Sequence, residues 1–250
     1  MKMDEQQAVC LVTGGSRGIG AAIVKALAAE GLPVALNYHR SESAAMKLSE
    51  QLQSLGSRVL AVKADISIAA EVEAMFRQVE EELGPVDWLI NNAGISLRGL
   101  LQDTTEDQWD ELMGVNLKGA FLCMRRALPG MIARRCGSIV NIASIWGQQG
   151  AAFESVYSAS KGALIALTRS LAAEVGPSGI RVNALAPGPI ATDMLKTEMT
   201  LDELVGLAGE IPLGRLGQPE DVAAACLFLL SQKAAYINGQ VIALDGGWKV

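Results

Sequence analysis

"TGGSRGIG", Thr13 to Gly20, decides the fold. It stands between a β-branched run, "AVCLVT" (8–13), and a helical pattern, "IGAAIVKALAAEG" (19–31), that Gly31 closes. Glycines let backbone amides approach a pyrophosphate closely, and a helix N-terminus favours negative charge. A glycine-rich loop alone is a weak signal. Placed directly after a first strand and opening a first helix, it weighs against an ordinary turn and reads as the start of a dinucleotide-binding unit.

Working outward, short apolar runs alternate with helical stretches along the whole chain. The strand candidates are "AVCLVT" (8–13), "PVALNY" (33–38), "RVLAVKA" (58–64) and "VDWLIN" (86–91), then "SIVNIA" (138–143), "IRVNALA" (180–186) and "QVIALD" (240–245). Most are continuously apolar, as strands covered on both faces must be. Helical patterns such as "AAEVEAMFRQVEEELG" (69–84), closed by Gly84, lie between them. Repeated strand–helix–strand units require right-handed crossovers. The expected architecture is α/β, a Rossmann-type doubly wound parallel sheet of about seven strands with helices on both faces. No linker, charge block or repeat divides the chain, so residues 1–250 read as a single domain. The least regular stretch, 188–217, reads as a substrate loop.

Bulk composition narrows the chemistry. Half of the 250 residues are hydrophobic and 19% are charged, which predicts a large core. Net charge is 21 − 27 = −6, and no Lys/Arg run exceeds two residues, so binding nucleic acid through a basic face is disfavoured. Cys10, Cys123, Cys136 and Cys226 have no metal or redox spacing, and His39 is the single histidine. A zinc site and a Ser–His–Asp hydrolase are therefore both disfavoured. "MKMDEQQ" (1–7) lacks the apolar core of a signal peptide. The longest apolar run, 222–230, falls well short of the ~20 residues that span a bilayer. The expectation is a soluble, cytoplasmic protein.

"YSASKG" (157–162) carries the chemistry. Tyr157 and Lys161 are four apart and share a helix face, with Cβ atoms roughly 5–6 Å from each other. A free phenol has a pKa of about 10, too high for efficient proton donation near neutrality. A neighbouring ammonium stabilises the phenolate. Either residue alone reads more simply as a half-buried tyrosine or a solvated lysine. Side chains as small as Ser, Ala and Gly around the pair leave space for a reacting molecule.

The spacing Gly14-x₃-Gly18-x-Gly20 behind Thr13 resembles that of the short-chain dehydrogenase/reductase family. The likeness continues through "NNAG" (91–94), Asn116 in "GVNLKG", Ser144 in "NIASIWG", Tyr157 thirteen residues later, and "PGPIAT" (187–192). This resemblance implies a carbonyl reductase with Tyr157 as proton donor. Lys161 would bind the nicotinamide ribose, Ser144 the substrate oxygen, and Asn116 a water feeding the lysine. It implies further that Gly14, Ser16, Arg17, Gly18, Ile19 and Gly20 cradle the pyrophosphate. Asp65 and Ile66 would flank adenine; Asn92, Ala93 and Gly94 would line the ribose side. Pro187, Gly188, Ile190 and Thr192 would also bind the cofactor. Relatives that prefer NAD carry Asp at the place of Tyr38, whereas the strand tip here reads "NYHRS". A base at this point accommodates a 2′-phosphate. With His39, Arg40 and Ser41 there, and Arg17 in the loop, the expected cofactor is NADP(H).

Within the family, the likeness is greatest to bacterial 3-oxoacyl-[acyl-carrier-protein] reductases, through "NYHRSE" and the ending from "GRLGQPEDV" to "ALDGG". A carrier protein would dock on a basic patch, with Arg125, Arg126, Arg134 and Arg135 as candidates, although a plain solvated face reads equally well. "SIWG…E..YS" also resembles reductases of the 5-aminopentanone modification of elongation factor P. Trp146 and Glu154, at the expected substrate mouth, suit an amine-bearing ketone as well as an acyl chain. A non-catalytic cofactor-binding sensor is a third possibility, against which the complete Asn116–Ser144–Tyr157–Lys161 set weighs. Family members are mostly homotetramers, paired through helices that include 105–128 and 155–176.

Overall fold

The structure, a computed structural model, describes residues 7–193, 195 and 199–248. The heptapeptide read for signal character therefore lies, except for Gln7, outside the described residues. So do positions 194 and 196–198 of the expected substrate loop.

Seven strands form one sheet in the order β3-β2-β1-β4-β5-β6-β7, every pair parallel. They are β1 Val9–Val12, β2 Val34–Tyr38, β3 Val59–Lys63, β4 Val86–Asn91, β5 Gly137–Ile142, β6 Ile180–Pro187 and β7 Val241–Leu244. Each lies within a residue or so of the run expected from sequence. The helices are α1 Gly18–Ala29, α2 Glu42–Ser54, α3 Ala69–Glu82, α4 Glu106–Met113, α5 Ala120–Arg134, the short α6 Trp146–Gln149, α7 Ser155–Val175, α8 Leu201–Glu210 and α9 Pro219–Leu230.

Strand alternation explains the unbroken apolar runs. Cys10 and Val12 face one core with residues of α1, α2 and α9. Val9 and Leu11 face a second core with residues of α3, α5 and α7. Both faces are covered, so most buried polar groups need partners. Asn141 illustrates this. It is fully buried, accepts from Asn91 Nδ2 at 2.8 Å and donates to Thr168 Oγ1 at 2.8 Å, tying β4, β5 and α7 together.

Two features position the site. Strand order reverses between β1 and β4, which opens a crevice at the carboxyl edge of the sheet. Secondly, α4 and α5 are joined by a π-helical segment, Gly114–Gly119. Such wide turns concentrate at functional sites, and this one carries Asn116. The sequence reading placed Asn116 in a helix without foreseeing that irregularity.

The irregular region is more ordered than its composition implies. Ala191 N donates to Gly217 O (2.8 Å) and Gly217 N to Pro189 O (3.0 Å), pinning the excursion at its base. Within it, Thr200 and Glu203 form a reciprocal capping box that starts α8. Among the described residues, no helix is long and apolar enough to cross a membrane.

Candidate active site

The loops after β1 and β4 are laced together. Thr13 Oγ1 accepts from Asn92 N (3.0 Å) and Ala93 N (3.1 Å), and Asn92 Nδ2 donates to Thr13 O and Gly14 O. Gly14 has φ +62°, and a Cβ there would stand 2.8 Å from Ala93 Cα. Only glycine lets these two loops close on one another. Beyond the loop, Arg17 begins α1 with no side-chain cap and no acid in the first turn. The helix therefore presents its first N–H groups and positive dipole end toward the crevice. That combination fits a pyrophosphate.

Along the carboxyl edge runs a cleft of about 1130 Å³, enough for a dinucleotide and a further small molecule. Gly14, Ser16, Arg17, Gly18, Ile19 and Gly20 line one part, with Asn92, Ala93 and Gly94 beside them. His39, Arg40, Ser41, Asp65 and Ile66 line the far end. Ser144, Trp146, Glu154, Tyr157 and Lys161 lie opposite, under Pro187, Gly188, Ile190 and Thr192. All the site residues expected from sequence thus meet in one place except Asn116.

Asn116 sits behind the wall. It is 1% exposed; its Oδ1 accepts from Ile95 N (2.8 Å), and its Nδ2 donates to Ile95 O (2.9 Å) and Ser160 Oγ (3.2 Å). Its side-chain amide is thus held by protein partners. It clamps the loop after β4. Ser160 passes the link on, its hydroxyl donating to Tyr157 O at 2.7 Å.

Lys161 is 4% exposed, and its Nζ donates to Ile142 O at 2.8 Å, with Nζ 5.8 Å from the centre of the Tyr157 ring. Burial pushes its ammonium down to about 8. A lysine that readily gains or loses a proton near neutrality therefore lies beside the phenol. Ser144 is also buried, and its Oγ accepts from Trp146 N at 3.2 Å.

The two ends differ in kind. At the β2 end, Arg40 Nη2 donates to Glu111 Oε1 at 3.0 Å, and His39 Nδ1 lies 3.8 Å from Asp65 Oδ2. Partial burial would raise the Asp65 carboxyl. Hydrogen bonds from Ser67 outweigh this, helped by His39 and Arg40, and hold it below the usual range. At the other end, Trp146 packs on Trp248 with ring centroids 5.3 Å apart at 59°. Trp248 Nε1 donates to Glu210 Oε2 of α8 at 3.2 Å.

Trp248, Arg98, Asp193 and Leu207 line the cleft but were not singled out from sequence. Trp248 was findable: it follows β7 by four residues, hence at the sheet edge where ligands bind in such folds. The expected basic patch is half neutralised by its own acids. Arg126 pairs with Glu73 and Glu80, Arg134 with Asp87, and Arg135 bonds Pro177 O, while Arg125 lies over the Phe121 ring.

Residues 14–249 match the family model described as "Enoyl-(Acyl carrier protein) reductase". The chain is 43% identical over 248 residues to a 3-oxoacyl-[acyl-carrier-protein] reductase FabG of Staphylococcus aureus, covering 99% of both chains. It is 43% identical over 241 residues to an acetoacetyl-CoA reductase of Rhizobium meliloti, covering 96% of this chain and 97% of that one. Among solved structures, a crystal structure of a blue fluorescent protein from a metagenomic library in complex with NADPH superposes with TM-score 0.90 at 38% identity. That match covers 97% of this chain and 98% of the other.

Proposed function

Because the chain belongs to the short-chain dehydrogenase/reductase family, we propose a reaction from its cleft: NADPH-dependent reduction of a ketone to an alcohol. The observation that carries the proposal is the convergence of Tyr157, Lys161 and Ser144 on one cleft with an uncapped helix N-terminus. The glycine loop and α1 would hold the pyrophosphate, Arg40 and Arg17 the 2′-phosphate, and Lys161 the nicotinamide ribose. NADPH, when bound, supplies the hydride.

The chain's own residues manage the oxygen. The Ser144 hydroxyl would donate a hydrogen bond to the carbonyl oxygen and orient it. The Tyr157 hydroxyl would donate its proton as charge develops there. Lys161, held against Ile142 O, would stabilise the phenolate left behind, and its position in a dry wall strengthens that interaction. Tyr157→Phe removes only the transferable proton. Turnover should fall by at least ~10²–10⁴-fold, while NADPH binding, measured by fluorescence titration, stays near wild type. Full turnover in this variant would end the proposal.

For the substrate, we infer a 3-oxoacyl thioester, on the strength of the likeness to the reductases named above. A carrier protein presenting it would have to dock outside the paired arginines, since Arg126 and Arg134 are already engaged. A second reading, an amine-bearing ketone such as the 5-aminopentanone group on elongation factor P, is favoured by the mouth. Two tryptophans, Glu154 and Asp193 line it, and aromatic faces with carboxylates attract cations. Rates with acetoacetyl thioester against an amino ketone decide between them. A single cytoplasmic domain assembling as a homotetramer completes the reading. Trp109 and Phe121, exposed on α4 and α5, support pairing through those helices.

A further inference from the structure

At the tip of β2, the charge of Arg40 is already answered from across the cleft. Arg40 Nη2 and Glu111 Oε1 are 3.0 Å apart, joining the β2 tip to α4 over the adenosine end. Both residues line the cleft, and both side chains are more than half exposed, at 77% and 52%. The neighbouring carboxylate, Asp65, is committed to Ser67 N and Oγ at 2.9 and 2.7 Å. Tyr38, at the end of the strand, is buried and uncharged, so Glu111 is the carboxylate bonded to Arg40 there.

A guanidinium binds carboxylate and phosphate oxygens through the same donor fork. We propose that Glu111 is a specificity-determining residue, a built-in competitor for Arg40 that sets how tightly the adenosine 2′-phosphate is held. This deepens the NADP(H) reading and rests on it. A dianionic phosphate takes the guanidinium from Glu111. A plain 2′-hydroxyl does not, and leaves the bridge closed. Glu111 therefore weakens NADPH binding, eases departure of the oxidised cofactor, and leaves NADH untouched.

The size of the effect follows from exposure. Ion pairs this open to water contribute at most about a fivefold change in an equilibrium constant, and salt screens them. Dissociation constants for NADPH and NADH are measured by fluorescence titration, at low and high salt, for wild type, Glu111→Gln, Arg40→Gln and the double variant. Glu111→Gln should bind NADPH about two- to fivefold more tightly at low salt and less so at high salt, with NADH unchanged. In the Arg40→Gln background the second substitution should add nothing. Weaker NADPH binding by Glu111→Gln would show that Glu111 preorganises Arg40 and would overturn the proposal. So would an equal change for NADH, or tightening that persists without Arg40. If Arg40→Gln leaves NADPH binding unchanged, the failure lies with Arg40 as the phosphate anchor, a distinct result from failure of Glu111 alone.

Discussion

The centre of the cleft and its two ends are built on different principles. At the centre, around a half-buried Tyr157, the side chains are buried and held by partners: Lys161 on Ile142 O, Asn116 on both backbone groups of Ile95, Ser160 between Asn116 and Tyr157. At the ends the contacts are exposed or aromatic, as in Arg40–Glu111 and Trp146–Trp248. The proposed proton transfer would tolerate little misplacement, and fixing its groups by buried hydrogen bonds suits that. Recognition of cofactor and substrate must be reversible, and the weaker rim contacts suit that. Substitutions at the centre should therefore affect rate and stability together, and substitutions at the ends should affect affinity alone.

Lys161 is the sharpest test of the centre. Its folded-state pKa of about 8 lies below the ordinary 10.5, so between those values the unfolded chain binds more protons. Stability of the cofactor-free protein should rise with pH across that window, by an amount on the order of 3 kcal/mol. Lys161→Met should abolish this slope and reduce turnover by at least ~10²-fold. In the wild type, kcat/KM for reduction should hold level below pH 8 and decline above it as the ammonium is lost. Urea unfolding at pH 7.5 and 10, with a pH–rate profile, measures both. A flat stability difference between the two proteins would mean that the lysine is hydrated rather than buried.

Asn116→Ala comes next in size. It leaves the Ile95 N–H and C=O without their side-chain partner and removes one of the Ser160 contacts. Unpaired buried groups cost ~1–3 kcal/mol each, and the Ile95 groups are only partly buried, so a loss toward the lower end, about 2–4 kcal/mol for the two, is expected, with a lower kcat because Tyr157 is reached through Ser160. Unchanged kcat with lowered stability would reduce Asn116 to a fold residue.

What the sequence disclosed follows the same division. Strand positions were legible because burial on both faces leaves an unbroken apolar run, as in "CLV" of β1 and "WLI" of β4. The meeting of Tyr157, Lys161 and Ser144 in one cleft was legible because the first two share one helix face and Ser144 follows a strand. The role of Asn116 was not, because a π turn depends on how α4 and α5 are braced and leaves no periodic trace. Nor was the Arg40–Glu111 bridge: its partners are 71 positions apart and meet only through the fold. α8 lay hidden within an irregular stretch, although "TLDE" at 200–203 is a capping-box signature. Trp248 was overlooked because it follows two glycines outside any periodic pattern, and only the location of β7 brings it back to the mouth.

Trp248→Ala should give the smallest effect and the most informative one for substrate. Loss of the tilted contact with Trp146 costs about 0.5–1.5 kcal/mol of local packing, and release of the Glu210 bond loosens α8 at the rim. The centre is untouched, so kcat with a small neutral ketone should remain within about twofold. KM is where the two substrate readings part. An ammonium seated against the indoles would lose ~0.5–2 kcal/mol of cation–π attraction, raising KM for an amino ketone by about 2- to 30-fold. A 3-oxoacyl thioester, which presents no cation, would lose only apolar contact. Steady-state kinetics on both substrates separates the cases: a KM change confined to the amino ketone makes the tryptophan pair a cation seat, whereas equal changes leave it a hydrophobic wall for an acyl chain.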